Sequence, residues 1–564
     1  MASLRRVLVT TMLVLLIPVG ALAGPTDPVS VTLIPQIPPV LVTDPVIFSP
    51  GIRLVADLEQ AYVEEEFFVE GAATVYTYND PPVPGEIIPF DVDVPYVTRI
   101  IVRRPVDPAK FKGTVIIEWW NSTAGFDTAP VWDASAEFYA REGWIYVGVT
   151  NSNTSITHLV NGCSLALGFL PVTCEGRYAT PTITLSMPEN GQAYEMVSQI
   201  ANLLKSASPE NPIPPVYGSV ERLFHAGQSQ QGGSMVTYAT AFHSVVNDGY
   251  FVQAASSARP INFGTPCSDP LALPYPDCTP RLAGDDRRVA TDLPVPVYRA
   301  MTETDMGCGP PFCDGSTNAL QPRGVIGGAS RQTDFADFRY YEMPGTAHST
   351  VHKDVEVLAP NVLFPDGLFL EDTCANPFNT LADGPVFGSH LYNAMWKNME
   401  FQSRFGVPPP HADLIDVLDG AIVRDEFGNA LGGIRVSMLE VPIATYSPSN
   451  VISPAIPVFI APLLDIFCRL SGSRADFGPA TLAELYPTHP HYVGKVSHSA
   501  LTLFLQRFML VEDVAQVIHD AQASDIGEPV PAACGIGFEL VFLLPPLIWL
   551  HKRRRRFAYG EGAA

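Results

Sequence analysis

The chain has 564 residues, 47% of them hydrophobic, enough to bury a large core in one enlarged domain or in two. Its formal charge of −24 argues against a nucleic-acid partner, because phosphate binding requires a basic surface. The charge places no limit on neutral substrates, and the 54 prolines gather in stretches such as Pro25 to Pro50 and Pro209 to Pro215, which read as long loops.

Taken from the start of the chain, Arg5-Arg6, the apolar run Val7 to Ile17 and Ala21-Leu22-Ala23 have the order of a secretory signal cleaved before Gly24. Residues 1–23 are therefore expected to be a signal peptide and 24–64 a proline-rich segment. Glu65 to Tyr78 and Pro95 to Arg104 read as leading antiparallel strands. Gly113 to Trp119 and Trp144 to Thr150 are short apolar runs bounded by turn residues, as in buried parallel strands, with a helix over Asp133 to Glu142 between them. A helix over Gly191 to Ser206 precedes the strand Val220 to Ala226. Tyr250 to Ala255, Val295 to Met301 and Phe338 to Met343 continue the strand series. This alternation predicts an α/β protein with a mostly parallel sheet and helices on both faces.

Gly227-Gln228-Ser229-Gln230-Gln231-Gly232-Gly233 follows an apolar strand and leads into a helix-compatible run from Ser234 to Phe242. A serine on such a strand–turn–helix elbow stands clear of the sheet as a candidate nucleophile, and the glycines permit a strained turn with close strand–helix packing. The next two strands empty into Thr302-Glu303-Thr304-Asp305 and Pro344-Gly345-Thr346-Ala347-His348. Serine, acid and histidine at successive strand ends are what a proton relay requires. His348 is the expected base, with His352 as a possible substitute. Asp305 is the expected acid, with Glu303 as the alternative that instead holds the loop by a salt bridge.

These motifs, together with Glu118-Trp119-Trp120-Asn121 and the stretches Asp419-Gly420 and Asp425 to Gly433, resemble the alpha/beta hydrolase domain-containing proteins of bacteria. The likeness runs from about residue 65 to about residue 525. It implies an α/β-hydrolase fold and esterase chemistry on an ester of undefined structure. The sequence departs from the general elbow pattern at Gln231, where most α/β-hydrolases carry a small residue.

The oxyanion hole of such an enzyme takes one backbone N–H from the residue after the nucleophile, here Gln230. The second comes from the loop after Trp119, with Asn121 taken as the donor and Trp120 or Ser122 as alternatives. The two indoles at 119 and 120 are expected either in the pocket wall or in the core.

Eight cysteines precede the C-terminal tail, and proximity suggests Cys163/Cys174, Cys267/Cys278, Cys308/Cys313 and, across a longer loop, Cys374/Cys468. The first three pairs fall in insertions (151–188, 256–292 and 306–336) placed after strand ends, where a stapled loop forms a lid or pocket wall. No Cys/His cluster has metal spacing, and His489-Pro490-His491 reads as surface loop. The region from about 349 to 530 is expected to add an accessory region to a hydrolase domain spanning 65–530. In 531–564 the apolar run Ile536 to Leu550 meets the basic cluster Lys552 to Arg556, the order of a stop-transfer anchor, although Pro545-Pro546 interrupts it.

The sequence thus predicts an exported, envelope-associated serine ester hydrolase that needs no cofactor or metal, acts on a small-molecule or lipid-like ester and is anchored by its tail. A peptidase or acyltransferase with the same triad, and a non-catalytic binding protein that keeps the fold, are the alternatives.

Overall fold

The computed structural model describes residues 28, 30–34, 50–51, 53–78, 87–123, 125–161, 190–255, 261, 292–306, 331–348, 374–377, 388–419, 421–456 and 461–528. The expected signal peptide (1–23), the tail (531–564), His352 and the cysteine pairs Cys163/Cys174, Cys267/Cys278 and Cys308/Cys313 lie outside the described residues.

Among the described residues nine strands form one sheet: β1 (Ser30–Leu33), β2 (Tyr62–Tyr78), β3 (Ile87–Pro105), β4 (Thr114–Trp119), β5 (Ile145–Val149), β6 (Arg222–Gln228), β7 (Gly249–Gln253), β8 (Val297–Thr302) and β9 (Phe338–Met343). Their spatial order is β1-β2-β3-β5-β4-β6-β7-β8-β9. The three leading strands pair antiparallel, and every pairing from β5 through β9 is parallel. β1 falls within Pro25 to Pro50, a stretch read from its prolines as a long loop. Its Ser-Val-Thr-Leu run is rich in β-branched residues and finds a free edge on β2, pairing Ser30 with Glu70 and Leu33 with Phe67.

β4, β5, β7, β8 and β9 are buried along their whole length and β6 over all but its two end residues, as expected where helices cover both faces of a parallel sheet. Alternate side chains of β4 serve different cores. Ile116 joins the cluster of α1 (Pro130–Glu142), while Val115 and Ile117 join that of α3 (Ala193–Lys205) and α4 (Gln230–Ala241). A further helix, α2, spans Asn153–Asn161. The first cluster also contains Trp396 and Met399 of α5 (Gly388–Phe405), and Tyr492, Val496, Val514 and Ile518 from the helices His489–Leu505 and Val511–Ala523. The late part of the chain therefore completes one of the two cores on which the sheet rests.

Trp119 and Trp120 are core residues and not pocket wall. Trp119 packs among Tyr194 and Tyr238 on one face, with ring centroids 5.5 and 5.1 Å away. Trp120 lies on the other face, donates from Nε1 to the Tyr146 hydroxyl at 2.8 Å and carries the Arg99 guanidinium over its ring. Both follow from the strand's period of two, which sends successive side chains to opposite faces.

Beyond the sheet, Ala444–Ser447 pairs antiparallel with Ser473–Asp476. Cys374 and Cys468 form a disulfide with Cα atoms 5.5 Å apart, the pairing expected across the longer loop. His489-Pro490-His491 is the first turn of a helix and not a loop. Thr488 caps it by accepting from the His491 N–H, and proline is tolerated there because the first N–H groups have no partner within the helix. Among the described residues, no helix is long and apolar enough to cross a membrane.

Candidate active site

The site is assembled by three strand ends. β6 ends at Gln228, and α4 begins at Gln230. Ser229 between them has φ 56° and ψ −118°, a left-handed conformation that L side chains rarely adopt. Such strain persists only where the surroundings over-determine it. Here a Cβ on Gly227 would meet the Gln231 carbonyl at 2.3 Å, and one on Gly232 would meet the Gln253 carbonyl and Ala255 Cβ, each at 2.7 Å. The close-packing glycine thus stands three residues after the serine and lets helix and strand touch. Gln231 at the intervening position is buried without disturbing the elbow.

β8 delivers the acid. After Thr302 the chain makes a short 3₁₀ turn, Thr304–Met306, that carries Asp305. β9 delivers the histidine through the turn at Gly345, whose φ is 72°. The three side chains form a continuous line: His348 Nε2 lies 2.7 Å from Ser229 Oγ, and His348 Nδ1 lies 2.6 Å from Asp305 Oδ1. Asp305 Oδ2 also accepts a hydrogen bond from the Thr302 hydroxyl. Burial works against protonation of His348, yet the charge and hydrogen bond of Asp305 outweigh it and raise its pKa above the ordinary histidine value.

Glu303 does different work. Its fully buried carboxylate accepts from Arg424 Nη2 at 2.6 Å and from the Gly345 N–H at 2.7 Å. It holds the turn before the histidine by a salt bridge, while Asp305 alone of the two acids meets His348. Burial raises the Glu303 pKa, opposed by the Arg424 charge and by the bonds from Gly345 and Arg424.

The backbone of His348 is gripped from both sides. Its N–H donates to Thr304 Oγ1 at 3.0 Å, and its carbonyl accepts from Gln228 Nε2 at 3.2 Å. The Thr304 hydroxyl itself donates to the Pro448 carbonyl at 2.6 Å. None of Gln228, Thr304, Arg424 or Pro448 was singled out from sequence as a site residue; the available signals were the positions of Gln228 in the elbow motif and of Thr304 beside the acid.

Asn121 is not an oxyanion donor. Its N–H donates to the Thr128 carbonyl at 3.1 Å, and its Nδ2 donates to the Gln228 carbonyl at 3.1 Å. Nδ2 also donates to Gln228 Oε1 at 3.3 Å, so the backbone and side-chain donors all brace the loop after β4. The Gln230 N–H, at the first position of α4, has no acceptor among the described residues. It also profits from the partial positive charge of the helix N-terminus.

Upstream of that loop Glu118 fixes the sheet to α1. Its buried carboxylate accepts from the Val131 and Trp132 N–H groups at 2.9 and 2.8 Å and from the Tyr146 hydroxyl at 2.7 Å. Burial pushes its pKa up to about 8. Among the described residues no group of three His, Cys, Asp or Glu side chains could hold a metal ion. A cavity of about 1020 Å³ opens elsewhere, walled by His411, Arg435, His491, Lys495 and their neighbours, and no member of the serine–histidine–aspartate line touches it.

A strained serine between strand and helix, with an acid and a histidine delivered by the strands that follow on a mostly parallel sheet, defines an α/β-hydrolase. The chain belongs to the family described as Alpha/beta hydrolase domain, which matches residues 37–519. No curated protein matches it. Among solved structures it is similar to Methylesterase BT1017, at 14% identity and a TM-score of 0.24, covering 43% of this chain and 42% of that one. It is also similar to LpqC, a poly(3-hydroxybutyrate) depolymerase from Bordetella parapertussis, at 13% identity and a TM-score of 0.27, covering 49% and 87% respectively. A CE15 glucuronoyl esterase from Teredinibacter turnerae is 14% identical with a TM-score of 0.23, covering 51% and 71%. Likeness at these levels carries no weight for substrate or mechanism.

Proposed function

We propose that the protein is a serine-dependent carboxylic ester hydrolase working through an acyl-enzyme. The observation that carries this reading is the unbroken line from Ser229 Oγ through His348 to Asp305, at 2.7 and 2.6 Å. Ser229 Oγ attacks the ester carbonyl as His348 Nε2 takes its proton. Asp305 holds Nδ1–H and stabilises the imidazolium. The negative charge that forms on the carbonyl oxygen meets the Gln230 N–H. As the tetrahedral intermediate collapses, the carbon–alkoxide bond breaks and His348 protonates the departing alcohol. Water, deprotonated by the same imidazole, then releases the acid and restores Ser229. The triad itself would serve a peptidase or acyltransferase equally. The binding-protein reading needs a histidine that cannot reach the serine, and a separation of 2.7 Å weighs against it.

We also place the protein outside the cytoplasm, with residues 1–23 as a cleaved signal and 531–564 as the anchor. The Cys374–Cys468 bridge supports an oxidising compartment. N-terminal sequencing of the mature chain should begin at Gly24, and deletion beyond Pro531 should release it from the membrane fraction. A mature chain starting at Met1 would sink the export proposal.

The catalytic reading is tested by labelling the full chain with a fluorophosphonate probe beside Ser229→Ala and His348→Ala. Label at Ser229 that both substitutions abolish supports an activated serine. A folded protein that takes no label overturns it.

A further inference from the structure

The loop after β4 is where this fold would place a second oxyanion donor, and its N–H groups are already committed. Trp120 donates to the Val149 carbonyl at 3.3 Å and Asn121 to Thr128 at 3.1 Å. Thr123 donates to Asn121 Oδ1 at 2.8 Å, and Gly125 to the Ser122 carbonyl at 3.0 Å. Residue 124 lies outside the described residues. Ser122 differs from the rest: both its N–H, at 3.2 Å, and its hydroxyl, at 2.9 Å, donate to one atom, Oε1 of Gln230.

That pair of bonds fixes which way the Gln230 carboxamide faces. A backbone N–H can only donate, so it must meet the oxygen end of the amide, and a flipped amide would set N–H against N–H. The opposite end, Nε2, carries two N–H bonds that have no partner among the described residues, on a side chain only half-buried. Gln230 is also the residue whose backbone N–H stands first in α4, directly after Ser229.

We infer that Gln230 supplies two oxyanion donors, its backbone N–H and its side-chain Nε2–H, and that Ser122 acts as the positioning residue that holds the amide with Nε2 available. This deepens the ester-hydrolase reading and rests on Ser229 being the nucleophile. It also gives the glutamine after the serine a purpose: a side chain anchored by its oxygen is a donor set in place before the reaction, and preorganised donors are worth most to developing charge.

The test is steady-state kinetics on p-nitrophenyl acetate, with inhibition by a trifluoromethyl ketone, for the full chain and for Gln230→Glu, Gln230→Met, Ser122→Ala and Ser229→Ala. Gln230→Glu keeps the shape and an acceptor for Ser122 but removes the donor. Both Gln230 variants should lose about 100-fold in kcat with KM changed less than about threefold, and ketone affinity should fall in parallel with kcat. Ser122→Ala removes the hydroxyl bond and leaves the backbone N–H to orient the amide, so the side chain is loosened and not freed; kcat should fall about threefold with the acidic limb of the pH profile unmoved, since His348 and Asp305 are untouched.

Retention of kcat within threefold by Gln230→Met, or a loss borne by KM alone, overturns the inference while inactive Ser229→Ala leaves the nucleophile reading standing. Wild-type hydrolysis by Ser229→Ala overturns both. Should the Gln230 variants fail to fold, as judged by circular dichroism, Ser122→Ala decides: unchanged kcat refutes the inference.

Discussion

Replacing Arg424 by methionine removes the charge that faces a fully buried carboxylate. Glu303 Oε1 then loses its 2.6 Å partner and keeps only the Gly345 N–H, at 2.7 Å on Oε2. Breaking a buried ion pair from one side costs about 3–5 kcal/mol. The Arg424 side chain is 34% exposed, so water already screens the pair, and about 2–3 kcal/mol is the appropriate expectation. The deficit should depend on pH in a definite direction. Burial already raises the Glu303 pKa, and losing the guanidinium raises it further. An acid whose folded pKa exceeds its unfolded value binds more protons when folded, so stability declines as pH rises from the unfolded value towards the folded one. Arg424→Met should therefore lie close to wild type near pH 4.5 and fall away towards pH 8, as followed by urea unfolding. Adding Glu303→Gln should recover at least half of the loss, because a neutral amide tolerates the site better than an unpaired charge. Equal deficits at both pH values, or no recovery in the double variant, would refute the reasoning.

Two other substitutions probe the line of groups itself and the bridge beyond the sheet. Asp305→Asn should lower kcat by about 10⁴-fold on an ester substrate, because the imidazole loses the partner that sets its tautomer. Rescue of that variant by Glu303, seen as activity within tenfold of wild type, would show that the two acids are interchangeable. In the wild-type protein the rate should rise with pH through a histidine pKa raised above its ordinary value, since only the neutral imidazole accepts the serine proton; in Asp305→Asn the same limb should move to lower pH. Cys374→Ser opens a loop of 94 residues, and the loss of chain constraint in the unfolded state should destabilise by about 4–5 kcal/mol, measurable as a lower urea midpoint that a reducing agent reproduces in wild type. A midpoint that reductant leaves unmoved would contradict this.

The strands were legible because their apolar runs are bounded by turn residues, and Phe338–Met343 came out with both ends as expected from the sequence. Helix starts were less so. The first turn of α4 is Gln-Gln-Gly-Gly, and its two glycines have low helix propensity; the helix-compatible run read from sequence begins at Ser234, while tertiary packing against β7 extends the helix back to Gln230. That Ser229, His348 and Asp305 come together could be anticipated because chain order and strand ends limit where such groups fall. Asn121 misled because its side chain and backbone are both suited to donate, and nothing in the sequence reveals that Thr128 and Gln228 take them. The contacts of Arg424 and Pro448 span 121 and 144 residues, and no local pattern encodes partners at that distance.

Those two contacts bear on how the molecule comes into being. A ribosome that has reached His348 has already made all three residues of the hydrogen-bonded line, yet neither Arg424 nor Pro448 has been synthesised. At that stage Glu303 has no Arg424 to pair with and the Thr304 hydroxyl has no Pro448 carbonyl to meet. Ser229 is thus born into a chain whose acid and histidine loops lack their braces, and the fixed line of three side chains waits on the arrival of later residues. A fragment cut after His348 would carry Ser229, Asp305 and His348 and still lack the braces that Arg424 and Pro448 supply.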